Sequence, residues 1–226
     1  MDRTTGTART APAPALAARP TPTPTLTERR KAATQLEIAQ AAAVLFAEHG
    51  ADQVTAETIA ATAGVSLRTF YRYFRTKEDA VGPLLAVGAD AWQQALAASA
   101  PGDPIAAIPT IIEHQLTPLS EVDREGLRWI RGLLRAADGD PALLTVWHRV
   151  NHDSEVRLRH IIAGLVDDAD PFEVRLLAAA ATDAIRVGLE EWASGDAPET
   201  GPGSPADLAV RAFAQLSRGI TLAHAT

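Results

Sequence analysis

Apolar residues recur at the spacing of an amphipathic α-helix along most of the chain, from Thr27 onward. Residues 105–116, for example, carry isoleucine or leucine at positions 105, 108, 112 and 116. No pair of alternating segments flanks an Asn-Gly or Asp-Gly turn, which would predict a β-hairpin. The pattern predicts an all-α fold with about nine helices, over residues 28–49, 55–62, 66–73, 76–99, 104–118, 121–138, 141–166, 171–194 and 205–222.

Several of these helices have clear start signals. A capping side chain stands directly before a proline, which suits the first helical position, at Asp103-Pro104, Asp140-Pro141, Asp170-Pro171 and Ser204-Pro205. Two segments also resemble a capping box with Asp in place of Glu, namely Ser120-x-x-Asp123 and Ser204-x-x-Asp207.

The N-terminal segment, residues 1–26, is rich in Thr, Ala and Pro and has little apolar surface to bury. That composition predicts a disordered arm. Its arginines could add loose phosphate contacts, although a solubilising tail is the simpler interpretation; they are Arg3, Arg9 and Arg19.

Residues 54–77 predict two short helices joined by a tight turn. Thr55 and Ser66 each stand where a side chain can cap the following helix, and a valine precedes each of them. Gly64 is placed to end the first helix in a left-handed conformation. Thr76 then begins another helix, so that Lys77 lies at a positive helix N-terminus, where an ammonium and free N–H groups can anchor a phosphate.

The second short helix, residues 66–73, has two different faces. At 100° per residue, apolar side chains share the face that must pack on the preceding helices; they are Leu67, Phe70 and Phe74. The opposite face presents donors from Arg68, Thr69 and Arg72, with Tyr71 and Tyr73 at its margins. A major groove admits one α-helix, and its base edges and phosphates accept such hydrogen bonds. The alternative is a helical corner with a solvated basic face.

The net charge of −7 is unevenly distributed along the chain. Residues 1–82 contain ten basic and eight acidic side chains, whereas the remainder contains eleven basic and twenty acidic ones. Residues 66–77 hold four basic side chains and no acid. This asymmetry is typical of a nucleic-acid-binding segment on an acidic body. Cysteine is absent, which excludes disulfides and thiolate chemistry and fits a reducing cytoplasm.

Residues 29–77 resemble the DNA-binding domain of the TetR family of repressors. The segment AAAVLFAEHGADQVTAETIAATAGVSLRTFYRYFRTKEDAV follows the family pattern almost throughout, with Ala80 where the family more often has Leu. The resemblance implies an all-α protein whose C-terminal domain binds a small molecule and dimerises. It also implies phosphate contacts from Thr55 and Lys77, and a recognition face on or beside Ser66, Arg68, Thr69, Tyr71, Arg72 and Tyr73.

By the same resemblance, the last two predicted helices are expected to form a homodimer. Small residues at 178–181 and Gly188 offer a surface for close helix contact between subunits. A dimer suits DNA binding because two recognition helices must reach successive major grooves, about 34 Å apart. The alternative is that these helices are ordinary core.

Candidate ligand-binding residues lie on the predicted inward faces of the middle helices. The apolar ones are Trp92, Ile112, Leu116, Trp129, Leu133, Trp147 and Leu177, and the polar ones are Gln115, Asn151 and Asp183. A buried polar group needs a partner, so Asp183 with Arg186 is either a structural pair or a ligand handle. Residues 176–192 resemble the C-terminal domain of a TetR branch that senses acyl-CoA-like ligands, which implies an acyl-CoA-like or hydrophobic effector.

Two further clusters each have a functional and a simpler interpretation. A stripe of arginines could receive a phosphate-bearing ligand, but local pairing with Glu121 and Glu125 is the simpler one; the stripe is Arg124, Arg128, Arg131 and Arg135. His148 and His152, four residues apart, could hold a metal, but a solvated face beside a Glu155–Arg159 pair is the simpler interpretation.

The sequence therefore predicts a transcriptional regulator that binds double-stranded operator DNA, most simply a repressor that a ligand releases. Residues 27–77 form its helix-turn-helix domain and residues 78–226 its ligand-binding and dimerisation domain. No catalytic, cofactor or metal motif stands out. No run approaches the roughly 20 apolar residues of a membrane span, so a cytoplasmic protein is expected. The alternative is an all-α small-molecule-binding protein or enzyme without specific DNA binding.

Overall fold

The computed structural model describes residues 25–99 and 102–222. Within these ranges the chain is helical and has no β-strand, which confirms the all-α prediction. The α-helices are α1 (Leu26–His49), α2 (Ala56–Thr62), α3 (Leu67–Tyr73), α4 (Gly82–Ala97), α5 (Pro104–Leu116), α6 (Glu121–Asp138), α7 (Pro141–Leu165), α8 (Pro171–Ser194) and α9 (Pro205–Leu216). Two 3-10 turns, Ala51–Gln53 and Glu78–Val81, interrupt them. Residues 1–24 of the predicted arm, which include Arg3, Arg9 and Arg19, lie outside the described residues.

The predicted start signals act as helix caps. The carboxylates of Asp103, Asp140 and Asp170 each accept a hydrogen bond from the backbone N–H two residues later. Ser120 and Asp123 form a complete capping box, in which each side chain accepts the other residue's backbone N–H. These caps satisfy N–H groups that the helix itself leaves unpaired, so local sequence defines where α5 to α8 begin.

The first helix begins at Leu26, two residues before its predicted start. Thr25 and Glu28 form a capping box, with the Thr25 hydroxyl accepting the Glu28 N–H at 3.2 Å and the Glu28 carboxylate accepting the Thr25 N–H at 2.7 Å. Because this Thr-x-x-Glu pattern fixes the first turn, residues 25 and 26 belong to α1 rather than to an arm.

The predicted helix over residues 76–99 is divided in the structure. Residues 78–81 form a 3-10 turn, and α4 follows from Gly82 with Pro83 in its first turn. Pro83 has no N–H and its ring would clash with the Asp79 carbonyl in a continuous α-helix, so it favours a new helix that starts close to residue 83.

Two helices end earlier than predicted. Helix α5 ends at Leu116 because Thr117 is extended before Pro118, as residues before a proline usually are. Helix α9 ends at Leu216 rather than 222, and Gly219 then takes a φ of 82°, outside the range of a right-handed helix.

The core consists of two apolar clusters. The first joins α1, α2 and α3 to the start of α4, to parts of α6 and α7 and to the end of α8. The second joins the end of α4 to α5, α8, α9 and the second half of α7. Leu116 and Ile185 pack against both clusters. The packing is therefore continuous across residue 77, and the predicted division into domains there remains a prediction about function.

One buried polar pair fastens α4 to α7. The Gln93 amide, 3% exposed, donates to the Ser154 hydroxyl at 2.7 Å and to the Ser154 carbonyl at 2.8 Å. The sequence does not predict this pair, because neither residue alone indicates that its partner lies on a helix 61 positions away.

The small residues of α8 pack within the chain. Ala178, Ala180, Ala181 and Gly188 are all buried in the monomer, and Gly188 lies directly against the backbone of Ala209 in α9. These residues therefore belong to the core of the chain, which was the alternative interpretation, and a contact between subunits through α8 and α9 stays a prediction. The apolar side chains left exposed on these two helices are Phe172, Leu176, Val187 and Leu216.

Candidate nucleic-acid interface

Helices α2 and α3 form the corner that the sequence predicted. The Thr55 hydroxyl accepts the Thr58 N–H at 3.2 Å, and the Ser66 hydroxyl accepts the Thr69 N–H at 3.1 Å, so both helices are capped at their N-termini. Gly64 has a φ of 67°, the left-handed conformation expected after α2. The corner is thus set by local hydrogen bonds and one backbone reversal.

The apolar face of α3 anchors the corner in the core. Phe70 is fully buried and Phe74 is 5% exposed, with their ring centroids 5.5 Å apart. Leu67, Val65 and Tyr73 pack against the same cluster, while Val54 and Ile59 are buried within it. Because these side chains are buried, the orientation of α3 relative to α1 and α2 is fixed.

The outward face of α3 presents Arg68, Tyr71 and Arg72. All three are exposed, and Tyr71 is 54% exposed although its ring is large and apolar. The Phe70 ring meets Tyr71 edge-on, with centroids 5.4 Å apart. Exposed guanidinium and phenol groups on a rigid short helix can donate to base edges or phosphates.

The other predicted contact residues support this face. Thr69 is half-buried and its hydroxyl shares a 2.9 Å hydrogen bond with Ser66, so these two side chains shape the start of α3. Tyr73 is half-buried, and the Arg72 guanidinium lies 4.9 Å from the Tyr73 ring centroid and donates to its hydroxyl at 3.2 Å. Tyr73 therefore holds Arg72 in place.

Lys77 has a structural role that the sequence did not predict. Its Nζ donates to the carbonyls of Ala51 at 2.6 Å and Val54 at 2.8 Å, which connects the residue before the 3-10 turn Glu78–Val81 to the segment before α2. Two of its three ammonium hydrogens are used in this way. The Nζ also lies 3.8 Å from the Glu78 carboxylate, and phosphate binding by Lys77 remains a prediction.

The predicted ligand-binding residues do not surround one space. Trp92, Ile112 and Leu177 are buried in the second core cluster, whereas Leu133 and Trp147 are buried in the first. Leu116 and Trp129 are half-buried. Gln115 was expected to face inward but is exposed on the last turn of α5, where its amide avoids the cost of burial without a partner.

Asn151 and Asp183 line an open cleft of about 340 Å³ between α7 and α8. The other lining residues are His148, His152, Glu155, Thr182 and Arg186. The Thr182 side chain is 6% exposed, and its hydroxyl has no hydrogen-bond partner within the described part of the chain. A buried hydroxyl of this kind is unfavourable unless something else binds it.

Asp183 forms the structural pair that was one of its two predicted roles. Arg186 donates to Asp183 at 2.9 Å and to Glu190 at 2.8 Å, and Trp147 Nε1 donates to Glu190 at 2.7 Å. Burial acts to lower the pKa of Arg186, but the two carboxylates outweigh it and the pKa lies above its usual value. This series of hydrogen bonds, from Asp183 to Trp147, joins α8 to α7.

The arginine stripe on α6 is paired locally at Arg124 and Arg128 only, as in the simpler interpretation, whereas Arg131 and Arg135 bind the end of α8 and the loop after it. Arg128 pairs with Glu121 at 2.6 Å, and Arg124 lies 3.8 Å from the same carboxylate. Arg135 donates to the Ala193 and Gly195 carbonyls, both at 2.7 Å. Arg131 donates to Ala197 and lies 3.7 Å from the Trp192 ring centroid. The stripe thus fastens the end of α8 and the following loop to α6.

His148 and His152 of α7 are exposed, and Glu155 pairs with Arg159 beside them, as in the simpler interpretation. Over residues 25–99 and 102–222, no three His, Asp or Glu side chains come close enough together to hold a metal ion. Over the same residues, no helix is both long and apolar enough to cross a membrane.

The α-helical fold and this capped corner define a helix-turn-helix transcription regulator. Residues 38–81 match the family model described as bacterial regulatory proteins, tetR family. A relative from Streptomyces glaucescens, the HTH-type transcriptional regulator TcmR, is 31% identical over 173 residues, which is 74% of this chain and 76% of that protein. The chain belongs to the TetR family of transcriptional regulators.

Solved structures have the same fold. NalD from Pseudomonas aeruginosa, the secondary repressor of the MexAB-OprM multidrug efflux pump, aligns over 84% of this chain and 98% of its own, with a TM-score of 0.53 and 20% identity. A TetR transcriptional regulator from Rhodococcus sp. RHA1 aligns over 86% and 100%, with a TM-score of 0.52 and 19% identity. At these identities the likeness concerns the fold.

Proposed function

We propose that this protein is a homodimeric repressor that binds operator DNA through α3 and is released by a small-molecule effector. The observation that carries the proposal is the outward face of α3, which is rigidly anchored, free of acidic side chains and rich in exposed donors. NalD, which has the same fold, is itself a repressor, and repression is the sign proposed here. The regulator would act in the cytoplasm, where its operator lies, and would have no enzymatic activity.

The direct test is operator binding by two variants of this face. Arg68→Ala and Tyr71→Ala should each weaken binding by about 1–3 kcal/mol if the side chain contacts a base edge, which is roughly 5- to 150-fold. Fluorescence anisotropy with duplexes from the region upstream of the protein's own gene, at several salt concentrations, measures the affinity. Two chains per duplex at saturation would support the homodimer.

Arg218→Ala is the matched control, since Arg218 is exposed beyond α9 and far along the chain from the corner. Its affinity for the operator should equal that of the wild type. If the wild type binds no upstream fragment, or if the α3 variants bind as well as the wild type, the alternative of an all-α small-molecule-binding protein or enzyme gains support.

We further propose the cleft between α7 and α8 as the effector site. Asn151, Asp183 and the unpartnered Thr182 hydroxyl favour a polar effector there. An acyl-CoA-like or hydrophobic effector would instead have to separate side chains that pack in the second core cluster, such as Ile112 and Leu177. The C-terminal domain would then have two states, and the bound effector would favour the state whose dimer geometry releases DNA.

Thr182→Val tests this site because it keeps the shape of the side chain and removes its hydroxyl. We expect operator affinity to be unchanged and effector-induced release to need at least a tenfold higher concentration, as for a lost hydrogen bond in a buried site. The compounds tested are those that co-purify with the protein in native mass spectrometry. Unchanged release in Thr182→Val, together with loss of release in Leu177→Phe, would place the effector in the apolar core instead.

A further inference from the structure

An open basic groove of about 440 Å³ lies between the N-terminal half of α1 and the C-terminal end of α3. Thr27, Arg30, Lys31 and Thr34 line it from α1, and Arg72 and Tyr73 line it from α3. Three of its six lining residues are cationic, and none is acidic. The groove begins at the end of α3, so it continues the surface formed by that helix.

Within residues 25–99 and 102–222, no acidic side chain pairs with the cations of the groove. Arg30, Lys31 and Arg72 are exposed, and none of them forms an ion pair within the described ranges. The nearest acid in sequence, Glu28, is occupied, because its carboxylate accepts the Thr25 N–H at 2.7 Å and the Thr25 hydroxyl at 2.8 Å. These hydrogen bonds, that of the backbone first, hold the pKa of Glu28 below its usual value.

The hydroxyls of the groove are suited to the same kind of ligand. Thr27 and Thr34 lie about two turns apart on α1, near the two cations between them. The α1 N-terminus contributes further positive potential at this end. Guanidinium, ammonium and hydroxyl groups that converge without an acid form a surface for phosphate oxygens.

We infer that this groove binds the sugar–phosphate backbone of the operator, beside the major groove that α3 enters. A helix in the major groove is flanked by phosphate strands, and the groove of α1 is continuous with the end of α3. Arg72 belongs to both the outward face of α3 and the basic groove. It therefore lies between the contacts that α3 makes near the bases and the phosphate contacts of Arg30 and Lys31. This inference rests on the proposed function and adds α1 to the DNA-binding surface.

The contact is electrostatic and independent of sequence, which gives it a distinct signature. Each phosphate contact that is lost reduces the slope of log affinity against log salt by about 0.9 in B-form DNA. The double variant Arg30→Gln/Lys31→Gln should therefore reduce the slope by about 2 for each protomer bound. Its affinities for operator and for unrelated duplex should fall by the same factor, because no base contact is removed.

The experiment measures affinity across a salt series for the full-length wild type, the double variant, and the single variants Arg30→Gln and Arg29→Gln. Arg29 is an exposed arginine of the same helix turn that does not line the groove, so it controls for the general loss of a positive charge. The substituted side chains are exposed, and unfolding temperatures confirm that each variant is folded. We expect Arg29→Gln to change the slope by less than half as much as Arg30→Gln alone.

Three results would overturn the inference while leaving the proposed function intact. The first is an unchanged salt slope in the double variant. The second is an effect of Arg29→Gln on the slope as large as that of Arg30→Gln. The third is a loss of affinity in the double variant that is confined to the operator duplex. Stabilisation of the wild type by inorganic phosphate, lost in the double variant while its salt slope is unchanged, would assign the groove to a free anion. Failure of the wild type to bind any upstream duplex would overturn both the inference and the proposed function.

Discussion

Gly188→Ala is expected to lower the free energy of unfolding by about 3 kcal/mol, which is at the upper end of the usual cost of overpacking. A β-carbon at position 188 would lie 2.7 Å from the backbone nitrogen and 2.8 Å from the α-carbon of Ala209. Both atoms belong to the backbone of α9, so no side-chain rotation can relieve the overlap. The helices must separate, and the contacts of the buried Phe213 with α8 must loosen.

Urea unfolding at fixed protein concentration measures this effect, since the stability of a dimer depends on concentration. Gly88→Ala is the control, because Gly88 lies in α4 with no heavy atom within 4 Å of an added β-carbon. That control should gain about 0.5–1 kcal/mol from the better helix propensity of alanine. Equal stabilities of the two variants would show that α8 and α9 do not pack as closely as described.

The contrast between α8 and the helix caps shows what the sequence could predict. Caps such as Asp103 and Ser120 act on N–H groups two or three residues away, so their effect can be inferred from adjacent residues alone. Gly188 looked equally suited to a contact between subunits, because its small size says only that something approaches closely. Which helix approaches depends on how the whole bundle packs, and the sequence does not state that.

The same limit explains the different outcomes for the two candidate sites. The α2–α3 corner is local: Thr55, Gly64 and Ser66 position its helices, and its outward face follows from helical periodicity. The effector residues predicted from the sequence come from five helices, and the structure distributes most of them over two core clusters and a cleft. Lys77 shows an intermediate case, since its position was clear but its two carbonyl partners lie 23 and 26 residues away.

Gly132→Ala is the second substitution with a large expected effect, because it acts where α6 supports α1. A β-carbon at position 132 would overlap the β-carbon of Ala47 and lie 3.1 Å from its α-carbon. We expect a loss of about 2 kcal/mol in the free energy of unfolding, within the usual range for an overpacked core. The control is Gly126→Ala in the same helix, where an added β-carbon meets no heavy atom within 4 Å.

This substitution should also weaken operator binding, since α1 carries the groove of Arg30 and Lys31 and packs against α3. Moving α1 away from α6 changes how the DNA-binding helices of the two subunits are spaced, and operator spacing tolerates little change. The double variant Gly132→Ala/Ala47→Gly removes the overlapping β-carbon and should restore most of the operator affinity. It should not restore all of the stability, because glycine within α1 costs about 1 kcal/mol.

The corresponding rescue at the other glycine should fail, and this difference separates the two sites. Ala209→Gly would remove only the β-carbon of Ala209, which lies 3.0 Å from the added atom, and would leave both closer backbone atoms in place. The four variants are Gly132→Ala, Gly188→Ala and the double variants Gly132→Ala/Ala47→Gly and Gly188→Ala/Ala209→Gly. Anisotropy and urea unfolding of these variants test the packing of α6 on α1 and of α8 on α9. Rescue at both positions, or at neither, would contradict it, because only the overlap at position 132 is chiefly with a side chain.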